Sequence, residues 1–195
     1  MSALRRGFKS WAEQVSLGFR RDLNQGVISA LDPRVVAEHL GIVVWTPEEV
    51  AKLGRLDNAH LEQLLIHDSK SWSAVTLLYE KNHIIIVNSS HKLVRKNSNI
   101  MHELAHTILE HKPARIDMTP EGLMILDSYD KTQEDEADWL SGSLLVPRDP
   151  LLSLLTIDPS SSNAASFFNV SNDMINWRRQ TTGVDIQLKR RRNSQ

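Results

Sequence analysis

Apolar residues recur along this chain with two periods, and each change of period marks a new element. From residue 8 to 25, Trp11, Val15 and Phe19 stand at i, i+4 and i+8, the spacing of a helix with a buried stripe. Asp32 as N-cap, Pro33 at the first helical position and Gly41 as terminator predict a short second helix. A strand at Ile42 to Trp45 follows, then a helix start at Thr46, Pro47 and Glu49, and further helix over 58–67. Trp72 to Tyr79 and His83 to Val87 are β-rich runs separated by residues 80–82, which reads as a hairpin. The helical period then returns with Ile100, Leu104 and Ile108, flanked by Met101 and Ala105. Ser98 or Asn99 is its expected N-cap, and the run His111, Lys112, Pro113 its expected stop. A last long helix spans 132–147, with Thr132 and Asp135 as capping pair, Leu140, Leu144 and Leu145 as apolar stripe and Pro147 as terminator.

After Pro147 the chain changes character. A turn-rich connector at 158–163 leads to a short helix, a turn at Asn169 and Val170, a Ser171 N-cap and a helix from Asn172 to Thr181 that ends near Gly183. Helix, turn and a second helix bearing Arg178 and Arg179 resemble a DNA-binding helix-turn-helix. Ala165, Phe168, Val170, Met174, Ile175 and Trp177 instead suit a helical cluster packed on the preceding part, which is the expectation adopted. No internal repeat is present. The pattern predicts an α+β fold: a small, mostly antiparallel sheet carrying two amphipathic helices, with a helical C-terminal segment. The expected division is a domain over 1–157, a helical segment over 158–188 packed on it, and a basic, disordered tail over 189–195.

Composition narrows the class of protein. At 195 residues, 41% hydrophobic and 24% charged, the chain is long enough for one ordinary globular core. It has no cysteine, which excludes disulfides, thiolate metal sites and a cysteine nucleophile, and makes the cytoplasm the default location. Arg5, Arg6 and Lys9 are not followed by an apolar run of signal-peptide length, and no run is long enough to span a bilayer, so neither export nor membrane insertion is expected. The net charge of −1 hides a polarity, since residues 101–138 carry 3 basic and 10 acidic side chains whereas 139–195 carry 7 and 4. An acidic stretch of this kind favours a cation or a basic substrate segment.

That acidic stretch contains the chemistry. His102, Glu103 and His106 spell H-E-x-x-H on the first of the two long helices. Positions i and i+4 share a face, so both imidazoles can converge on one metal ion, while Glu103 stands beside them as a base for the attacking water. A histidine pair on so apolar a helix is expensive to bury unless something satisfies the ring nitrogens. A catalytic zinc site needs a third protein ligand and one open position. The metzincin pattern fails, because the positions it would use hold Leu109 and Lys112. The second long helix offers Glu134 as ligand, with Asp138 one turn on to accept a hydrogen bond from a ligand histidine and fix its tautomer. Asp135 and Glu136 are expected only to complement the helix dipole. His111, His91 and Tyr129 are candidate donors to a tetrahedral oxyanion.

H-E-L-A-H followed by E-x-x-A-D-x-L-x-x-x-L-L-V-P resembles the ImmA/IrrE family of bacterial and phage metalloproteases. The likeness extends upstream to Leu40-Gly41-Ile42 and to the strand at His83 to Asn88 before the metal helix, covering roughly 30–150. Ala105 stands where the family commonly has glycine, and Leu140-Ser141 where it has a Phe-Ala pair; both changes leave the ligands intact. The resemblance implies a zinc endopeptidase with Glu134 as third zinc ligand. The partner it implies is a helix-turn-helix repressor of a mobile element or stress regulon, cut to release transcription. The rival readings are a regulatory or toxin-antitoxin component acting by partner binding, and a DNA-binding regulator using the C-terminal helices.

Overall fold

The structure, a computed structural model, describes residues 4–79, 82–112, 116–118, 124–126 and 130–193. In chain order the elements are α1 (Phe8–Asp22), α2 (Pro33–His39), β1 (Val43–Trp45), α3 (Pro47–Lys52), α4 (Asn58–Glu62) continued by one wide helical turn (Gln63–His67), β2 (Ala74–Tyr79), β3 (Asn82–Val87), α5 (Leu93–Ile108), β4 (Ile116–Met118), β5 (Met124–Leu126), α6 (Lys131–Leu145), α7 (Arg148–Ile157), α8 (Ser161–Phe168), α9 (Asn172–Thr181) and α10 (Val184–Asn193). The result is α+β with helices dominating.

The principal sheet has the order β1-β3-β2. β2 and β3 form the expected antiparallel hairpin, but β1 runs parallel to β3, with Val43 opposite Ile84. This sheet is therefore mixed: the α3–α4 stretch and β2 supply the crossover that a parallel partner requires. β4 and β5 form a separate antiparallel pair. Central β3 contributes Ile85 and Val87 to the core, where they meet Ile100, Met101, Leu104 and Ala105 of α5. α5 is the hub, packed on the sheet, on α2 and on α6.

Local chemistry explains several boundaries. Asp32 caps α2 through the backbone N–H of Arg34, and Thr46 with Glu49 forms a reciprocal capping box at α3. α5, however, starts at Leu93, well before Ser98 and Asn99. Ser98 instead folds its hydroxyl back onto the Val94 carbonyl at 3.2 Å, which removes it as a cap. α6 is capped by Asp130, which accepts from Thr132 and Gln133, not by Thr132; Asp135 pairs with Lys131 at 3.1 Å. α7 follows directly on Pro147, in a stretch without a sequence signal strong enough to place it. The basic run over 189–192 lies within α10 and is not the expected disordered tail; Val184 and Leu188 of this helix are buried.

α1 docks on α6 with a different face from the expected one. Phe8, Ala12, Ser16 and Arg20 are buried, whereas Trp11 is exposed and Val15 and Phe19 only flank the core. Hydrogen bonding decides the rotation of the helix. The last carbonyls of α6 have no partner within the helix, and Ser16 donates to Ser143 O at 2.6 Å while Arg20 Nη2 donates to Leu144 O at 3.0 Å. Burial pulls the Arg20 pKa down to about 10 against the opposing charge of Glu13. From the C-terminal side, Arg178 of α9 donates to Val146 O at 2.9 Å and pairs with Glu13 of α1.

Gly142 of α6 faces Trp177 so closely that an added Cβ would stand 2.3 Å from its ring. Trp177 is itself packed edge-on against Trp139, with centroids 5.7 Å apart, and has little freedom to retreat. Gly142→Ala should therefore destabilise the protein by about 1–3 kcal/mol despite the better helix propensity of alanine. A melting temperature equal to or above that of the wild type would show that the α6–α9 contact is looser than described.

Candidate metal centre

On α5, Asn99, His102, Glu103 and His106 follow one another at i, i+3, i+4 and i+7, so they share a face. The opposite face is buried through Ile100, Met101, Leu104 and Ala105, which leaves the two histidines facing Glu134 of α6 and Glu103 facing Thr76 of β2. α6 presents Glu134 in its first turn and Asp138 one turn later, while Leu140, Leu144 and Leu145 bury its other end.

Three ligand atoms converge. His102 Nε2 and His106 Nε2 are 3.0 Å apart, and the Glu134 oxygens lie 3.3 and 3.5 Å from them. Asp138 Oδ1 is 3.0 Å from His102 Nδ1, and a carboxylate can only accept, so Nδ1 carries a proton and, in the neutral ring that would bind a metal, the lone pair is on Nε2, facing inward. Two nitrogen lone pairs and a carboxylate facing one point repel each other unless a cation lies between them. Ligands on a tetrahedral zinc ion, with bonds of about 2.0–2.1 Å, stand roughly 3.3 Å from one another. The residues present thus fit a metal ion of this size, with no other described group of His, Asp or Glu side chains gathered in this way.

The electrostatics of the two imidazoles differ. Burial, together with the neighbouring His102 and His111, lowers the His106 pKa to about 4, which keeps the ring neutral with a free lone pair. Burial also opposes charge on His102, but the hydrogen bond and charge of Asp138, with Glu103 and Glu134 nearby, outweigh it and raise that pKa.

Glu103 is held from the sheet. Thr76 of edge strand β2 donates its hydroxyl to Glu103 Oε2 at 2.5 Å, a contact across 27 residues of sequence that no local pattern announces. His111, a candidate oxyanion donor, is engaged by the outer nitrogen of His106 and by Glu136. The end of α5 explains its place: Glu110 adopts a left-handed conformation at φ 53°, His111 N bonds to His106 O at 3.0 Å and Glu110 N to Thr107 O at 3.1 Å. This paired turn ends the helix before Pro113 and folds the His111 ring back against His106, with Nδ1 to Nδ1 2.9 Å. Glu136 is not merely a dipole charge, since it reaches His111 Nε2 at 3.3 Å and Arg5 at 3.3 Å. His91 is engaged with the Ser69 carbonyl at 3.1 Å. Tyr129 lies outside the described residues.

Two clefts adjoin His102. One of about 310 Å³ lies between the start of β2, at Ser73 and Ala74, and Asn99, His102 and Glu103. The other, about 530 Å³, opens between α5, Asp138 of α6 and Met174 and Trp177 of α9.

A histidine pair on one helix and a glutamate from the next form a group that could hold a metal ion, with Glu103 between the histidines and outside that group. The comparison of sequences supplies the class: residues 37–178 match the model of the Peptidase_M78 family, described as the IrrE N-terminal-like domain. The chain belongs to that family. A comparison with curated proteins finds no match. Among the described residues, no helix is long and apolar enough to cross a membrane.

Asp138→Ala should weaken metal binding by about 10- to 100-fold, because it frees the His102 ring without deleting a ligand. Glu134→Ala should lose the metal on dialysis altogether. Metal content of the dialysed variants checks both; equal retention by the wild type and Glu134→Ala would exclude Glu134 as a ligand.

Proposed function

We propose that the protein is a zinc-dependent endopeptidase in which His102, His106 and Glu134 hold the ion and Glu103 is the general base. The observation that carries this reading is the convergence of His102, His106 and Glu134, with Glu103 beside them and outside the group. Nitrogen and oxygen donors at tetrahedral spacing suit zinc. When bound, zinc supplies Lewis acidity, lowering the pKa of a water in its open position to about 7 and polarising the scissile carbonyl.

The chain's own residues do the rest. Asp138 keeps the His102 tautomer that leaves Nε2 free. Thr76 aims the Glu103 carboxylate, which takes a proton from the attacking water and delivers it to the leaving amine. The outer edge of β2 is unpaired among the described residues, and beside it lies the cleft at Ser73, Ala74 and Glu103. An extended peptide adding to this edge through main-chain hydrogen bonds would pass the base.

Family membership supports a protein substrate, and within it we propose a cytoplasmic helix-turn-helix repressor. The DNA-reader alternative is disfavoured by one observation: Arg178 is fully buried and paired with Glu13, and Arg179 is paired with Asp185, so neither is presented to a phosphate backbone.

Glu103→Gln should keep metal content and melting temperature while cleavage of a candidate helix-turn-helix repressor that the wild type cuts falls by at least about 100-fold. Cleavage by this variant at the wild-type rate would rule out the mechanism. A zinc-loaded wild type that binds a candidate repressor without cutting it would favour the reading as a regulatory partner.

A further inference from the structure

From the outer nitrogen of His106, a chain of polar contacts runs away from the ligand atoms toward the surface. His106 Nδ1 lies 2.9 Å from His111 Nδ1, His111 Nε2 3.3 Å from Glu136 Oε2, and Glu136 Oε1 3.3 Å from Arg5 Nε. The proton positions in a neutral chain follow from its far end. Glu136 can only accept, so Nε2 of His111 carries its proton; Nδ1 of His111 is then an acceptor, and Nδ1 of His106 must donate to it. That leaves the His106 lone pair on Nε2, the nitrogen that faces His102 and Glu134.

We propose that His111 and Glu136 are positioning residues for the metal centre, fixing the rotation and tautomer of His106 as Asp138 does for His102. The proposal rests on the reading of His106 as a ligand. Two features distinguish the pair from incidental packing. His111 and Glu136 keep only 7% and 13% of their side chains exposed, a costly burial for a carboxylate without a partner. The turn that seats His111 also holds a glutamate, Glu110, at φ 53°, a conformation that disfavours any side chain. Glu136 is further anchored by Arg5, whose guanidinium lies over the Phe8 and Trp11 rings at 5.1 and 5.9 Å. The N-terminal segment, outside the matched 37–178, is thereby joined to the centre.

The test uses the full-length protein and zinc competition against a chromophoric chelator. His111→Ala and Glu136→Ala are expected to weaken zinc binding by about 10- to 100-fold. Glu136→Gln, whose side-chain carbonyl still accepts from His111, should recover most of that loss. Isotope-labelled histidine spectra of the zinc-free protein should show His106 protonated at Nδ1 in the wild type and a mixture of tautomers in Glu136→Ala. Folded His111→Ala and Glu136→Ala variants with wild-type zinc affinity would overturn the proposal, as would an unchanged His106 tautomer in Glu136→Ala. If His111→Ala does not fold, the Glu136→Ala and Glu136→Gln pair decides alone. His106→Ala separates the two readings: it should abolish zinc binding, and retention of zinc by that variant would remove the ligand reading itself.

Discussion

Two imidazole nitrogens 3.0 Å apart on α5 meet the carboxylate of Glu134 on α6, whose two oxygens lie 3.3 and 3.5 Å from them, and the packing of the two helices holds this arrangement together. With both imidazoles neutral, as metal binding requires, two lone pairs and a carboxylate at that spacing repel. A cation turns the repulsion into binding. Until one is present, the positions of the three side chains depend on the hydrogen bonds behind them: Asp138 on His102, His111 with Glu136 on His106.

α6 is the element on which this depends most, because Glu134, Asp138 and Glu136 all stand on it, facing different partners. Its carboxyl end is fixed by buried side chains. Ser16 and Arg20 from α1 and Arg178 from α9 donate to the carbonyls of Ser143, Leu144 and Val146, which a helix cannot satisfy itself. Cations also suit that end of the helix dipole. Arg178 is wholly buried and depends on Glu13 for its counter-charge; breaking such a pair is far more costly than never having formed it. Two segments that flank the catalytic motifs in sequence, α1 and α9, thus hold one helix in register with α5.

Much of this was legible from residue patterns, for identifiable reasons. The H-E-x-x-H face and the Glu134–Asp138 spacing are local to single helices, where periodicity is a direct guide to direction. Asp32, Pro33 and Gly41 bounded α2 correctly because capping is equally local. The failures involve contacts between distant segments. The apolar stripe of α1 points to the wrong face because Ser16 and Arg20 are chosen by the carbonyls of α6. Thr76 carries no signal in the sequence, since nothing near it marks a partner on α5. His111 and Glu136 read from sequence only as a candidate oxyanion donor and a dipole charge, because the left-handed turn at Glu110, which brings the His111 ring back against His106, has no glycine to announce it. The parallel placement of β1 likewise depends on a crossover whose path is tertiary.

The central claim is that His102, His106 and Glu134 form one zinc site of tetrahedral dimensions. Crystals of the zinc-loaded protein measured on either side of the zinc absorption edge test it most directly. The account requires a single strong anomalous peak about 2.0–2.1 Å from both Nε2 atoms and from a Glu134 oxygen, with an open position on the Glu103 side. A peak bound elsewhere, or one held by the histidines with Glu134 turned away, would contradict it.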